Sequence, residues 1–284
     1  MSDDTDDLLD PFEGSGIDRR RPLRERRFRK VPFRFIVPNV VTLVALCLGL
    51  TAIRFAADGR FELAVFTILL AAVFDGLDGR IARALKGTTR FGAELDSLAD
   101  FVDFGVAPAL TLYFWSFNTI KSLGWFTALV FAIACALRLA RFNVALDDAD
   151  KPAWSSHFFT GMPAPAGAIV ALLPLYLHYS ILGEVTGRGW VFAQIIYVLA
   201  IAGLMASRIP HFSGKTIGRI PREQVILVLF GVAILILLLA TFTMEVLSVL
   251  TLAYLALIPF SVRRQRAYLE ADLKSRDLRE PAAP

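Results

Sequence analysis

Eight apolar stretches follow one another between residues 38 and 262, each set off from the next by a short polar or glycine-bearing break. They fall at 38–57, 61–84, 94–116, 123–143, 164–182, 189–207, 224–241 and 245–262. Each is close to the about 20 residues with which an α-helix crosses the hydrocarbon core of a bilayer. Within that core every backbone polar group must find a partner inside the chain, so such runs are read as helices. The pattern predicts an all-α integral membrane protein with about eight transmembrane helices. The break between the last two rests only on a turn near Thr243, Met244 and Glu245.

The exceptions to the apolar pattern are concentrated. Phe74 to Pro108 carries Asp75, Asp78, Asp96, Asp100 and Asp103 between two strongly apolar runs. Carboxylates at membrane depth are costly, face a bundle interior and mark function. Asp75 and Asp78 are three apart and Asp96 and Asp100 four apart, so each pair shares one face of its helix. Two such helices side by side bring four carboxylates to one point. Their mutual repulsion is relieved by cations, and hard divalent ions such as Mg²⁺ or Mn²⁺ favour oxygen donors of this kind. Gly76, Gly79, Gly92 and Gly105 leave room for close approach, and Arg83 is placed to clamp a phosphate. Metals, a phosphate-binding Arg and small residues point to phosphoryl-group chemistry.

Asp75-x-x-Asp78-Gly79-x-x-Ala82-Arg83, eight further residues, then Gly92-x-x-x-Asp96-x-x-x-Asp100 resembles the signature of the CDP-alcohol phosphotransferases. Arg138-Leu-Ala-Arg-Phe-Asn143, Phe159-Thr-Gly-Met-Pro-Ala-Pro165 and Ser207-Arg-Ile-Pro-His-Phe-Ser-Gly-Lys215 resemble the membrane-embedded phosphatidylserine synthases within that family, as does Pro38-Asn39-Val-Val-Thr42. Asp103 departs from that branch, where Ser is expected. The resemblance implies transfer of the phosphatidyl group of CDP-diacylglycerol to L-serine, releasing CMP. It implies two divalent ions (Mg²⁺ or Mn²⁺) held by Asp75, Asp78, Asp96 and Asp100, with Asp100 as the base. It sets Asn39, Thr42, Gly79, Ala82, Arg83 and Gly92 against the CDP-lipid, and it implies a homodimer. The serine carboxylate needs cationic partners, and Arg138, Arg141 and Lys215 are the candidates.

Charge then orders the segments. Residues 1–17 are acidic and polar, without the outline of a cleavable signal peptide, and are read as a disordered tail. Nine Lys and Arg lie between Arg19 and Arg34, interleaved with Phe28 and Phe33. This segment is a positive flank orienting the first span, an interfacial helix on anionic membrane lipids, or both. The chain divides into tail 1–35, transferase body 36–262 and C-terminal tail 263–284. Only Arg54, Arg60, Lys121 and Arg188 fall in one set of loops, and the other 26 of the 30 Lys and Arg fall in the alternate set. The positive-inside rule then puts both termini in the cytoplasm of a multi-pass inner-membrane protein, with the acids near the cytoplasmic face.

Simpler readings stand beside these. Arg138 and Arg141 also fit inside-positive flanks, Lys215 a phosphate, and Asp103 either a substrate contact or a solvated or salt-bridged helix residue. Glu94 is read as capping the third span. Cys47 and Cys135 lie in apolar runs and His157, His178 and His211 are scattered, so neither a disulfide nor a zinc site is expected. The basic patch abuts a membrane span, which argues against nucleic-acid binding. Two rivals remain: the same chemistry on glycerol phosphate, inositol phosphate or choline, and a cation or proton transporter. A transporter spreads ionisable groups along several spans, whereas these acids sit at one end of two.

Overall fold

The computed structural model describes residues 33–146, 158–183, 187–207, 210–212 and 224–277. The N-terminal tail and Lys215 lie outside the described residues. The helices follow the apolar pattern closely. They are α1 (Phe33–Ala57), α2 (Phe61–Ala84), α3 (Arg90–Phe101), α4 (Ala107–Trp115) and α5 (Lys121–Leu146), then α6 (Ala164–Ala171), α7 (Leu173–Leu177), α8 (Arg188–Ala206), α9 (Val225–Thr241) and α10 (Thr243–Asp277). A π turn, Val102–Val106, fuses α3 to α4, and another, His178–Leu182, follows α7. Five stretches are long and apolar enough to cross a membrane, and Ala164–Ser180 and Val225–Thr241 are shorter apolar helices. With α2, whose C-terminal end is charged, these make the eight rods expected, and the protein is all-α in class.

Small residues set the packing. In lipid, apolar surface gives no preference for a helical neighbour, so close backbone approach decides which faces pair. Ala45, Gly49, Ala52 and Ala56 form the buried seam of α1, and Ala64, Ile68 and Ala71 that of α2. Phe104, Phe131, Leu172 and Tyr176 fill the centre of the bundle with no more than 1% exposure. None of the residues of α9 is buried, as suits a helix that is apolar all round.

Two prolines shape the acid end. Pro38 lies inside α1 and has no N–H for the carbonyl of Arg34. The α2–α3 loop closes on that freed carbonyl so tightly that a Cβ on Gly87 would collide with the Arg34 oxygen. Pro108 likewise cannot bond to the carbonyl of Phe104. The helix widens there, and the N–H of Ala107 reaches back five residues to Val102.

One element has no precursor in the apolar pattern. Phe158–Thr160 (β1) pairs antiparallel with Pro210–Phe212 (β2), in register Phe158 to Phe212 and Thr160 to Pro210. Three-residue strands are too short to show a period of two. The ribbon joins two of the stretches singled out above, Phe159–Pro165 and Ser207–Lys215. Gly161 follows it at φ +82°, where a Cβ would press on the carbonyls of Ser207 and Met205 at 2.8 and 3.0 Å.

Candidate functional site

The two helices that carry the acidic motif, α2 and α3, are joined by five residues. α2 ends at Leu85 with Lys86 left-handed at φ +51°. The N–H groups of Lys86 and Gly87 return to the carbonyls of Arg83 and Ala82, the paired bonds of a Schellman stop. α3 starts at once: the Thr89 hydroxyl accepts from the N–H of Gly92 at 2.9 Å and caps the helix. This corrects the expectation for Glu94, which is exposed one turn further on. The span begins earlier than its apolar residues, because capping is set by the first turn's N–H groups and not by hydropathy.

This tight hairpin brings the acids together. Asp75, Asp78 and Asp96 each offer a carboxylate oxygen, all within 4.8 Å of one another. Asp100, one turn beyond Asp96, lies in hydrogen-bonding reach of Asp75. Each charged pair at that separation repels by roughly 3 kcal/mol at an effective dielectric of about 20. Thr42 of α1 donates to Asp78 at 2.7 Å and also to its own helix's Pro38 carbonyl at 3.1 Å. A convergent set of hard oxygen donors, without basic partners at bonding distance among the described residues, fits divalent cations.

A cavity of about 160 Å³ opens against these acids. Asn39, Thr42, Gly79, Ala82, Arg83 and Gly92, the six residues set against the CDP-lipid by the motif, all line it, together with Asp78 and Asp96. A Cβ on Gly92 would meet the Asn39 amide oxygen at 2.8 Å, so the small residue is required by the wall itself. Pro38, Gly87, Thr88, Thr89 and Ala93 also line it and were not foreseen. The signal for Thr88 and Thr89 was their place in the short gap between the two halves of the motif.

The three cationic candidates separate. Arg138 is 9% exposed, and its charge faces Asp100 and Asp75. Arg141, one turn along, donates instead to the carbonyls of Ala206 and Ser207 at 2.7 and 3.2 Å, tying α5 to the end of α8. Lys215 lies outside the described residues. Asn143 completes the same stretch by donating to Ser97 at 2.9 Å, which fixes α5 to the helix carrying Asp96 and Asp100.

Asp103 sits in the π turn at 1% exposure, and its Oδ1 finds no hydrogen-bond partner among the described residues. It presses on Gly49 of α1, where any Cβ would collide with the carboxylate. It is therefore a buried residue of the bundle, not a solvated one.

A sequence profile of the CDP-alcohol phosphatidyltransferases matches residues 35–206. The CDP-diacylglycerol–serine O-phosphatidyltransferase of Mycobacterium leprae is 40% identical over 240 residues, covering 81% of this chain and 76% of that one. The proteins of the same name from Helicobacter pylori and Methanocaldococcus jannaschii are 34% and 35% identical over 180 and 193 residues. They cover 63% and 62% of this chain and 73% and 86% of their own.

Proposed function

The chain belongs to the CDP-alcohol phosphatidyltransferase family, and from that premise we propose that it transfers the phosphatidyl group of CDP-diacylglycerol to the hydroxyl of L-serine, giving phosphatidylserine and CMP. The observation that carries the reading is the convergence of Asp75, Asp78 and Asp96, the last two on the wall of a cavity lined by the motif's small and polar residues. The names of the relatives, all serine transferases, favour L-serine as the alcohol.

In this proposal Asp75, Asp78, Asp96 and Asp100 hold two divalent ions, Mg²⁺ or Mn²⁺. When bound, such ions neutralise the diphosphate and the charge that develops on departing CMP. The chain's own groups do the rest. Thr42 fixes Asp78 by a hydrogen bond, which orients a ligand carboxylate as outer partners do elsewhere. Asn39 and Arg83 line the nucleotide cavity, where Gly79, Ala82 and Gly92 leave it room. Asp100 takes the proton of the serine hydroxyl, whose oxygen then attacks the phosphorus bearing diacylglycerol. A positioned base of this kind contributes about 10²–10⁴-fold. Arg138 receives the serine carboxylate. Arg141, bonded to the end of α8, holds the frame, and Lys215 stays a candidate for either anion.

The body of the enzyme is residues 36–262, with tails on both sides. The charge asymmetry sets both termini in the cytoplasm and the protein in the inner membrane, so that CMP leaves on the side where nucleotides are used. The active form is a homodimer.

The test is CMP release by purified protein given CDP-diacylglycerol, Mn²⁺ or Mg²⁺ and one alcohol at a time. L-serine is expected to be required, chelation to stop the reaction, and Asp100→Asn to lower the rate about 10²–10⁴-fold. CMP formed with another alcohol and not with serine moves the acceptor. No CMP with any alcohol in folded, metal-supplied protein refutes the transferase reading.

A further inference from the structure

Asp96 and Asp100 lie well up α3 from the place where that helix is joined to α2, counted from its first residue, Arg90. At 1.5 Å per residue they stand about 9 and 15 Å from the link. A tilt of α3 by about 5° at the link moves Asp100 by roughly 1 Å. Metal–ligand distances hold to about 0.2 Å. The short link therefore brings the two acid pairs together but does not by itself set their separation. A second hold on α3, close to the acids, is required.

α5 supplies one. Asn143 donates from Nδ2 to the Ser97 hydroxyl at 2.9 Å, and that hydroxyl donates in turn to the Ala93 carbonyl at 3.0 Å. Ser97 follows Asp96 directly and stands on the same helix face as Asp100, three residues on. Ala93 lines the cavity together with Asp96. The relay thus grips the turn of α3 that carries the acids. Its other end is held as well. Arg141, two residues before Asn143 and about 200° round the helix, donates to the Ala206 and Ser207 carbonyls at 2.7 and 3.2 Å. The last turn of α5 is pinned to the end of α8 by one side chain and pins α3 with another.

We propose that Asn143 is a positioning residue for the metal centre: through Ser97 it sets Asp96 and Asp100 at the distance from Asp75 and Asp78 that divalent ions need. The proposal rests on the reading that these four acids hold the ions. Asn143 bonds to neither ligand carboxylate and acts through the helix that carries two of them. Neutral bonds between helices at membrane depth suit this task, since they add no charge to a site already crowded with carboxylates. Arg141 and Asn143 then belong to one device, a brace from α8 through α5 to the acid-bearing turn.

The test is Mn²⁺ binding to purified, chelator-stripped protein in detergent, without substrate, read from the electron paramagnetic resonance of the free ion. Asn143→Ala is expected to weaken Mn²⁺ binding about tenfold, the lower end of what losing an outer partner of a metal ligand costs. Ser97→Ala is expected to do the same, and the double variant to do no more than either single one, because all three remove one bond. The Mn²⁺ concentration that gives half-maximal CMP release is expected to rise by the same factor. Ser116→Ala removes a bond of the same kind, to Gln194 at 2.6 Å, at the far end of the rod formed by α3 and α4. It is expected to lower the Tm and leave Mn²⁺ binding as it was. Wild-type affinity in Asn143→Ala or in Ser97→Ala overturns the assignment. So does an additive loss in the double variant, or an equal loss in Ser116→Ala. In those cases Mn²⁺ binding by wild type leaves the acids' role standing. Wild type that binds no divalent ion removes both.

Discussion

α2 and α9 both read as apolar spans, and the structure uses them in opposite ways. α2 is 24 residues long, packs along α1 through Ala64, Ile68 and Ala71, and ends in Asp75, Asp78, Arg80 and Arg83. α9 is 17 residues long, contains no ionisable side chain and buries none of its residues against the rest of the described chain. Leu, Ile and Val on α9 lose nothing by facing lipid, since a lipid tail is as apolar as they are. Ala and Gly on α1 and α2 gain by letting two backbones approach. Hydropathy therefore finds both helices, but only the small residues and the acids tell which one belongs to the site.

The sharpest way to break the comparison is at the charged end. Asp78→Asn is expected to cut CMP release at least a hundredfold, the upper end of what losing even an outer partner of a metal ligand costs. The effect should shrink at saturating Mn²⁺ if the defect lies in ion binding, which a metal titration of activity reads directly. Next comes the seam. Gly49→Ala places a methyl group against the Asp103 carboxylate, and the overpacking is expected to cost about 1–3 kcal/mol, seen as a lower Tm in detergent. Thr89→Ala removes the cap of α3 and is expected to cost about 1 kcal/mol, with a modest loss of activity because Thr89 also lines the cavity. At the other extreme, Leu229→Ala on α9, 63% exposed within the chain, is expected to change stability by less than about 0.5 kcal/mol. A large loss there would mean that α9 is covered in the working protein, and cross-linking through that face would test it.

The eight apolar rods, five of them long and apolar enough to cross a membrane, and the acidic cluster were legible because both are local. Runs of about 20 apolar residues and carboxylates at i, i+3 and i+4 need no tertiary information. The six residues set against the nucleotide followed from the motif, and all six line one cavity. What escaped was non-local. The spacing of Arg138 and Arg141 on α5 is that of two neighbours on one face, yet one turns to the acids and the other to the carbonyls that end α8. Nothing in α5 itself encodes the position of α8. The β1–β2 ribbon pairs segments some fifty residues apart, so neither strand announces it alone. The π turn depends on Pro108, whose effect falls four residues upstream.

The five-residue link between α2 and α3 also bears on how the protein comes to exist. Asn39 through Asp100, which holds the four acids and the six motif residues lining the cavity, is one unbroken stretch of chain that forms most of α1, all of α2 and most of α3. Its contacts are between neighbours in sequence, and such contacts form early because little loop entropy is lost in making them. During synthesis the acids enter the bilayer as a hairpin and are enclosed by α1, which is already there. Arg138 reaches them only after a further 38 residues have been made. The nascent chain therefore carries its cluster of carboxylates for a time without the cation that later faces it.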